Sequence, residues 1–229
     1  LKADLTNAEL SIEPISWRKA QGRPAVLETD IASGKSHKTE LQNFKVAGDD
    51  VAIEGWVGVG ADNKMKEFFF PEFSLNVVSR LEVQGTRGGD SVWNIKAQGK
   101  NFDGRDFFKS LFTVGGEPKA KSLKPNPGID LTADIDNVIG HSDVSLRGLK
   151  LKLSSRAEKL TKLDARGTLD GGAPLAAVLE AKPSGPRRLL ADSSDAGATM
   201  KLLDFYPNVQ GGRLQLEVKL DGKGNAEKT

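Results

Sequence analysis

Few residues in this 229-residue chain are of a type that does chemistry. Cysteine is absent, which removes disulfides, thiol nucleophiles and cysteine-ligated zinc. Histidine occurs twice, at His37 and His141, each in a turn-like polar context and far apart in sequence. A zinc site needs further ligands at short spacing, and none flanks either histidine, so both read as exposed loop residues. Ser193 and Ser194 lie outside any Gly-x-Ser-x-Gly frame. With Asp195 they fit the start of a helix, where a side-chain oxygen accepts an orphan backbone N–H. Asp130, Asp134 and Asp136 would need a bend-forming glycine and a closing glutamate to hold calcium. They alternate instead with Ile129, Leu131 and Ile135, as the wet face of a strand does. Asp192 and Asp195 could pair as carboxylates, but no further acid points to a cleft around them. The doublets Gly88-Gly89, Gly171-Gly172 and Gly211-Gly212 sit between strand-like runs and read as turns; no Lys-Ser or Lys-Thr follows to make a phosphate loop. A hydrolase is therefore the weakest class, and no enzyme, metal or cofactor is expected.

What such residues would need is a frame, and the frame is strands. Ala3 to Ile12 carries Ala8, Leu10 and Ile12 on one parity, and Trp17-Arg-Lys with Gly22 and Pro24 reads as a turn. Pro24–Ser33, Glu40–Ala47, Asp50–Val59 and Lys64–Val78 follow as strands, with Gly55, Gly58 and Pro71 breaking the alternation as bulges or edges do. Ser91–Gly99 is next, with Trp93, Ile95 and Ala97 in phase. Asp103 or Asp106 can cap a helix whose stripe is Phe107, Phe108, Leu111 and Phe112. Glu117–Gly128 is rich in Pro, Lys and Gly and reads as a linker or exposed loop. Beyond it Leu131, Ala133 and Ile135 alternate, then Val144 and Leu146. The phase slips at Gly148, and Leu149, Leu151 and Leu153 take the other parity, which marks a bulge. Leu163, Ala165 and Leu169 make another strand, and Leu175, Ala177, Leu179 and Ala181 the next. Arg187–Asp192 leads into a helix over Ala196–Tyr206 that Pro207 stops. Leu214, Leu216, Val218 and Leu220 then alternate as a last strand.

These elements give an all-β class with two short helices and a degenerate internal repeat of roughly 100 residues. Residues 1–116 are the first β repeat, ending in a short helix. Residues 117–128 are the linker, and 129–229 the second repeat, ending in helix plus strand. About twelve strands in one mostly antiparallel sheet would span roughly 55 Å. Sheets of that width curl or split, so a long curved sheet is expected, either open as a groove or closed on its own core. Apolar side chains would face inward and charges outward. An open face suits acyl chains, since each buried CH₂ is worth about 0.8 kcal/mol. The groove candidates are Leu131, Ile135, Leu151, Leu153, Leu214, Leu216 and Val218.

Composition sets the outer limits. At 38% hydrophobic and 28% charged the chain can fold as an ordinary globular domain. A formal net charge of +2 and 6% aromatics give no basic or base-stacking platform for nucleic acid. No apolar run approaches the roughly 20 residues that span a bilayer, and no signal peptide is present. The start at Leu1 and the polar Gly222–Thr229 end suggest a piece of a longer protein, with any anchor or export signal outside it.

The ordered set of local marks resembles the AsmA-like family, the group that includes AsmA, TamB and YhdP. Those marks are Ala3-Asp-Leu-Thr-Asn-Ala-Glu-Leu-Ser-Ile12, Trp17-Arg-Lys19, Gly22-Arg-Pro-Ala25, Phe44-Lys-Val-Ala-Gly48, Val92–Lys100, and Asp195-Ala-Gly197 through Gly211-Gly-Arg-Leu214. The resemblance implies a periplasmic protein of a Gram-negative envelope, tethered to the inner membrane by a segment absent here. It implies phospholipid acyl chains as partners, carried between the inner and outer membranes along a hydrophobic β groove (a β-taco), without catalysis. The competing expectation is a structural or protein-interaction module of the envelope whose apolar face is all core.

Overall fold

The computed structural model describes residues 1–12, 15–34, 36–112, 128–156, 159–180 and 187–220. Residues 117–127 of the expected linker, Ala181 and the polar end from 221 lie outside the described residues. The fold is all-β with two helices. Its strands are β1 (Lys2–Asp4), β2 (Leu10–Ile12), β3 (Trp17–Lys19), β4 (Ala25–Ala32), β5 (Thr39–Gly48), β6 (Val51–Val59), β7 (Met65–Leu75), β8 (Arg80–Arg87) and β9 (Trp93–Asp103). Helix α1 (Arg105–Phe112) precedes β10 (Ile129–Ile139), β11 (Ser145–Arg156), β12 (Lys159–Leu169), β13 (Pro174–Glu180) and β14 (Arg187–Ser193). Helix α2 (Ala196–Leu202) and β15 (Leu214–Leu220) end the described chain.

Thirteen strands form one open sheet in the order β1-β4-β5-β6-β7-β8-β9-β10-β11-β12-β13-β14-β15, while β2 and β3 make a separate hairpin. Every neighbouring pair in the large sheet is antiparallel except β9 and β10, which run parallel. A parallel pair needs a long crossover, and α1 lies in it. The sheet passes through this joint without a break. At about 4.8 Å per strand its edges are roughly 58 Å apart if unrolled.

One face is apolar. Trp17, Ala25, Val46, Val51, Ile53, Phe73, Leu75, Leu81, Phe108, Ala133, Ile135, Val138, Leu146, Leu169 and Leu202 form a single buried cluster along it. The opposite face is a lattice of ion pairs such as Lys2–Glu28 at 2.7 Å, Lys45–Glu54 at 2.6 Å and Arg156–Asp130 at 2.7 Å. Such exposed pairs add little stability individually; their role is to keep that face wet.

Several local expectations need correction. Trp17–Lys19 is a strand, not a turn. Trp17 is 6% exposed, and its Nε1 donates to Asn76 Oδ1 at 3.0 Å. The Lys19 ammonium donates to four carbonyl oxygens, those of Thr6, Ala8, Ala20 and Arg23. Ala3–Ile12 splits into β1, at the edge of the large sheet, and β2, in the hairpin. The strand begun at Lys64 stops at Leu75, because Asn76 and Val77 take left-handed φ of 54° and 62° and turn the chain. β8 then follows, in a stretch whose sequence shows no clear alternation. Its inward positions are Leu81, Val83 and Gly85, and the ring of Phe68 occupies the space where a Gly85 Cβ would stand, 2.4 Å away. The glycine hides the alternation. Helix α2 ends before Pro207: Asp204 takes φ 57°, and Phe205 N–H bonds Met200 O at 2.9 Å while Asp204 N–H bonds Lys201 O at 3.1 Å. This Schellman closure stops the helix by backbone geometry.

Other expectations hold. Gly148 takes φ 60°, and the β11–β12 register shifts between Arg147 and Lys150. The β7–β8 register shifts between Phe70 and Phe73, around Pro71. Asp195 is the N-cap of α2, its Oδ1 accepting Ala198 N–H at 2.9 Å.

The candidate site is an alanine trough on the apolar face

Directly paired residues on neighbouring strands share a face. The registers therefore trace rows across the sheet. One row runs Ala97, Ala133, Leu151, Ala165, Ala177, Ala191 and Leu216, from β9 to β15. On its side toward the β11–β12 turn lies Ile95, Leu131, Leu153 and Leu163, and further along Leu179, Leu189 and Val218. On its other side lie Ile135 with Leu149, and Leu175, Ser193 and Leu214. The arrangement is a row of short side chains between two rows of long ones, about 14 Å apart at 3.4 Å per residue. It forms a shallow trough that crosses the strands.

Along the strand direction the apolar face is sealed at one end, on one side of the trough, and open at the other end among the described residues. Ile135 is 4% exposed, Val138 1%, Leu146 5% and Leu169 1%. They sit under the two helices: Phe108 and Val138 close over Gly104, and Leu202, fully buried, closes over Gly140. A Cβ at Gly104 would stand 2.7 Å from Val138 Cγ1, and one at Gly140 2.4 Å from Leu202 Cδ1, so both glycines are required for these approaches. Toward the other end Leu131, Leu153, Leu163, Leu189 and Val218 are only half-buried, while Leu179 between them is 7% exposed. Leu216, at the β15 edge, is 41% exposed.

All seven groove candidates thus lie on one face. Leu131, Leu151, Leu153, Leu214 and Val218 are half-buried along the trough, Leu216 stands at its open edge, and Ile135 belongs to the sealed core. Leu163, Leu189 and the alanines were missed as site residues. The alternation of Ala97, Ala133, Leu163, Ala165 and Ala177 was legible; that of Leu189 and Ala191 was not, nor was the register that aligns them.

The apolar face is not uniform. Over β4–β8 it is filled with aromatic rings: Phe44 and Phe70 lie 5.6 Å apart, Phe68 and Phe70 5.0 Å, and Phe68 and Trp93 5.5 Å. Two clefts of about 560 and 440 Å³ lie on the opposite, polar face, the first along Trp56, Phe69, Gln84, Lys96 and Thr132, the second along Val178, Leu190 and Gln215. The second also reaches Ala191 and Leu216 of the alanine row, and the first reaches Ile95 beside it.

The residues first considered for chemistry are dispersed. His37 is not an exposed loop residue: its ring is 11% exposed and packs over Gly58 on the polar face, with Glu67 Oε2 at 3.3 Å and Glu40 Oε1 at 3.7 Å. His141 Nε2 lies 3.0 Å from Arg105 O. Asp192 bonds Arg213 at 3.0 Å on the polar face, and that hydrogen bond holds its carboxyl below the usual range. Asp195 is spent on the helix cap, so the two carboxylates do not form a pair. Asp103 is buried, with Arg105 Nε at 2.9 Å and Nη2 at 2.7 Å, and these bonds lower its pKa. Among the described residues no group of three His, Cys, Asp or Glu could hold a metal ion. No helix among them is long and apolar enough to cross a membrane.

Comparisons with family models, with curated proteins and with solved structures gave no match to this chain.

Proposed function

We propose that this chain binds phospholipid acyl chains along the alanine trough and takes part in their non-enzymatic transport between inner and outer membranes. The observation that carries the reading is the alanine row, buried at Ala133 in β10 and flanked from β11 to β15 by leucines that, apart from the buried Leu179, are only half-buried. A methylene chain laid in that row would meet leucine on both sides, at about 0.8 kcal/mol gained per CH₂ removed from water. The sequence resemblance to the AsmA-like family supports the same reading. It adds a periplasmic location, a tether to the inner membrane outside these residues, and a role in outer-membrane homeostasis. Native mass spectrometry of the purified chain tests it. Mass additions of phospholipid size are expected. A bare chain that also fails to take up a fluorescent phospholipid would overturn the proposal.

A second reading has its own support. The apolar face over β4–β8 is a packed core, with Leu75 2% and Val51 4% exposed. If the whole face behaves so in solution, the chain is a structural or protein-interaction module of the cell envelope. The lipid experiment separates the two.

A further inference from the structure

We propose that Arg87 and Arg187 form an anion-binding rim at the open end of the apolar face, selecting phosphate-bearing lipids over neutral ones; this rests on the lipid-binding reading above.

The register places them there. Arg87 pairs with Trp93, Trp93 with Ile129, Ile129 with Ser155, and Ser155 with Leu160. Trp93 packs on Phe68, which fixes this row on the apolar face. Arg187 has the parity of Leu189 and Ala191, and its Nη1 donates to Leu160 O. Both arginines therefore stand in the last row of the open end, above the leucines. Both are half-buried.

Their surroundings differ from those of arginines on the polar face. There Arg156 meets Asp130, Arg166 meets Asp164, Arg188 meets Glu217 and Arg213 meets Asp192. Arg87 donates Nε to Ser91 O at 3.3 Å, and Arg187 donates to Leu160 O. Neither has a carboxylate partner among the described residues. Asp90 accepts the Val92 N–H through Oδ1 at 3.0 Å, and no ion pair joins it to Arg87 among the described residues. A half-desolvated guanidinium without a counterion is unfavourable, and its unused N–H groups match phosphate oxygens in a planar fork. An acyl chain in the trough lies parallel to this row and about 14 Å from it, so its phosphate meets an arginine where the lipid leaves the trough near β8 or β14. The two arginines stand on β8 and β14, at opposite ends of the rim, and so mark two headgroup positions.

The test uses the full chain with three probes: monomeric fluorescent phosphatidylglycerol, the matched diacylglycerol, and inorganic phosphate. Arg87→Gln, Arg187→Gln and the double variant are compared with wild type and with Arg166→Gln on the polar face. Glutamine keeps a donor for each carbonyl and removes the charge. The double variant is expected to bind phosphatidylglycerol about tenfold more weakly, as loss of a charge-assisted contact implies. Each single variant should keep part of the tight binding. Diacylglycerol binding and melting temperature should not change, and Arg166→Gln should match wild type. Equal wild-type affinity for phosphatidylglycerol and diacylglycerol, or an unchanged double variant, would overturn the rim while leaving the trough standing. Tight binding of inorganic phosphate alone would reassign the arginines to a free anion and also overturn it. Failure of both lipids to bind would overturn the underlying lipid reading.

Discussion

The two wings of the sheet share one pattern and differ in what fills it. In β4–β8 the apolar face holds Phe44, Phe68, Phe70 and Phe73, and the β2–β3 hairpin adds Trp17 at its edge. In β12–β15 the corresponding face holds Ala165, Ala177, Ala191 and Gly167, with leucines beside them and α2 over one end only. Large rings bury 150–250 Å² each and close a face from within. Alanines leave room above them. Alternation alone therefore says which side is apolar; side-chain volume decides whether that side is a core or a surface for a ligand.

Substitutions at Leu75, Leu202, Asp195 and Leu216, each read against its control where one is given, and one titration probe this contrast. The largest effect is expected at the closed wing: Leu75→Asp places an unpaired carboxylate in a site 2% exposed. This should cost several kcal/mol, enough to consume much of a domain's stability, and be read as loss of the cooperative urea transition. Next is the sealed end of the open wing. Leu202→Ala should cost about 2–5 kcal/mol by cavity formation over Gly140. A loss under 1 kcal/mol in urea would mean that α2 does not seal that end. Asp195→Ala removes the cap that holds α2 and should cost about 1 kcal/mol, with Asp195→Asn recovering most of it.

Acid should act through Asp103, whose folded pKa is depressed by its hydrogen bonds from Arg105. A depressed carboxylate contributes stability that is fully present above its unfolded pKa, about 3.9. That contribution is lost as pH falls through the folded value. Urea midpoints measured from pH 6 downward should therefore fall below about pH 4. Asp103→Asn should flatten that limb; an unchanged limb would assign acid sensitivity to other groups.

The smallest stability effect is expected at the open edge. Leu216, at 41% exposure, can turn to aspartate with less than about 0.5 kcal/mol lost. Fluorescent phospholipid binding should nevertheless fall. Thr132→Asp, exposed on the polar face between Lys96 and Lys152, controls for added charge and should change neither. Collapse of Leu216→Asp would extend the closed wing to β15 and remove the contrast.

The alternation of Leu131, Ala133 and Ile135, the slip at Gly148, the break at Pro71 and the Asp195 cap were all legible, because each depends on a local rule of the chain. β8 was not, since Gly85 is apolar-facing only by virtue of the Phe68 ring beside it. Nor was the strand at Trp17, whose place depends on Asn76, 59 residues away in sequence. By itself, then, the sequence determined the class, the apolar parity of most strands and their bulges, since period, glycine and proline act within a few residues. The tertiary structure alone decided that β9 and β10 pair in parallel. It also decided that five alanines from five strands align, that helices close one end, and that Arg87 and Arg187 share the other. Those facts depend on which strands lie side by side and in what register, and pairing between distant segments leaves no mark in either segment alone.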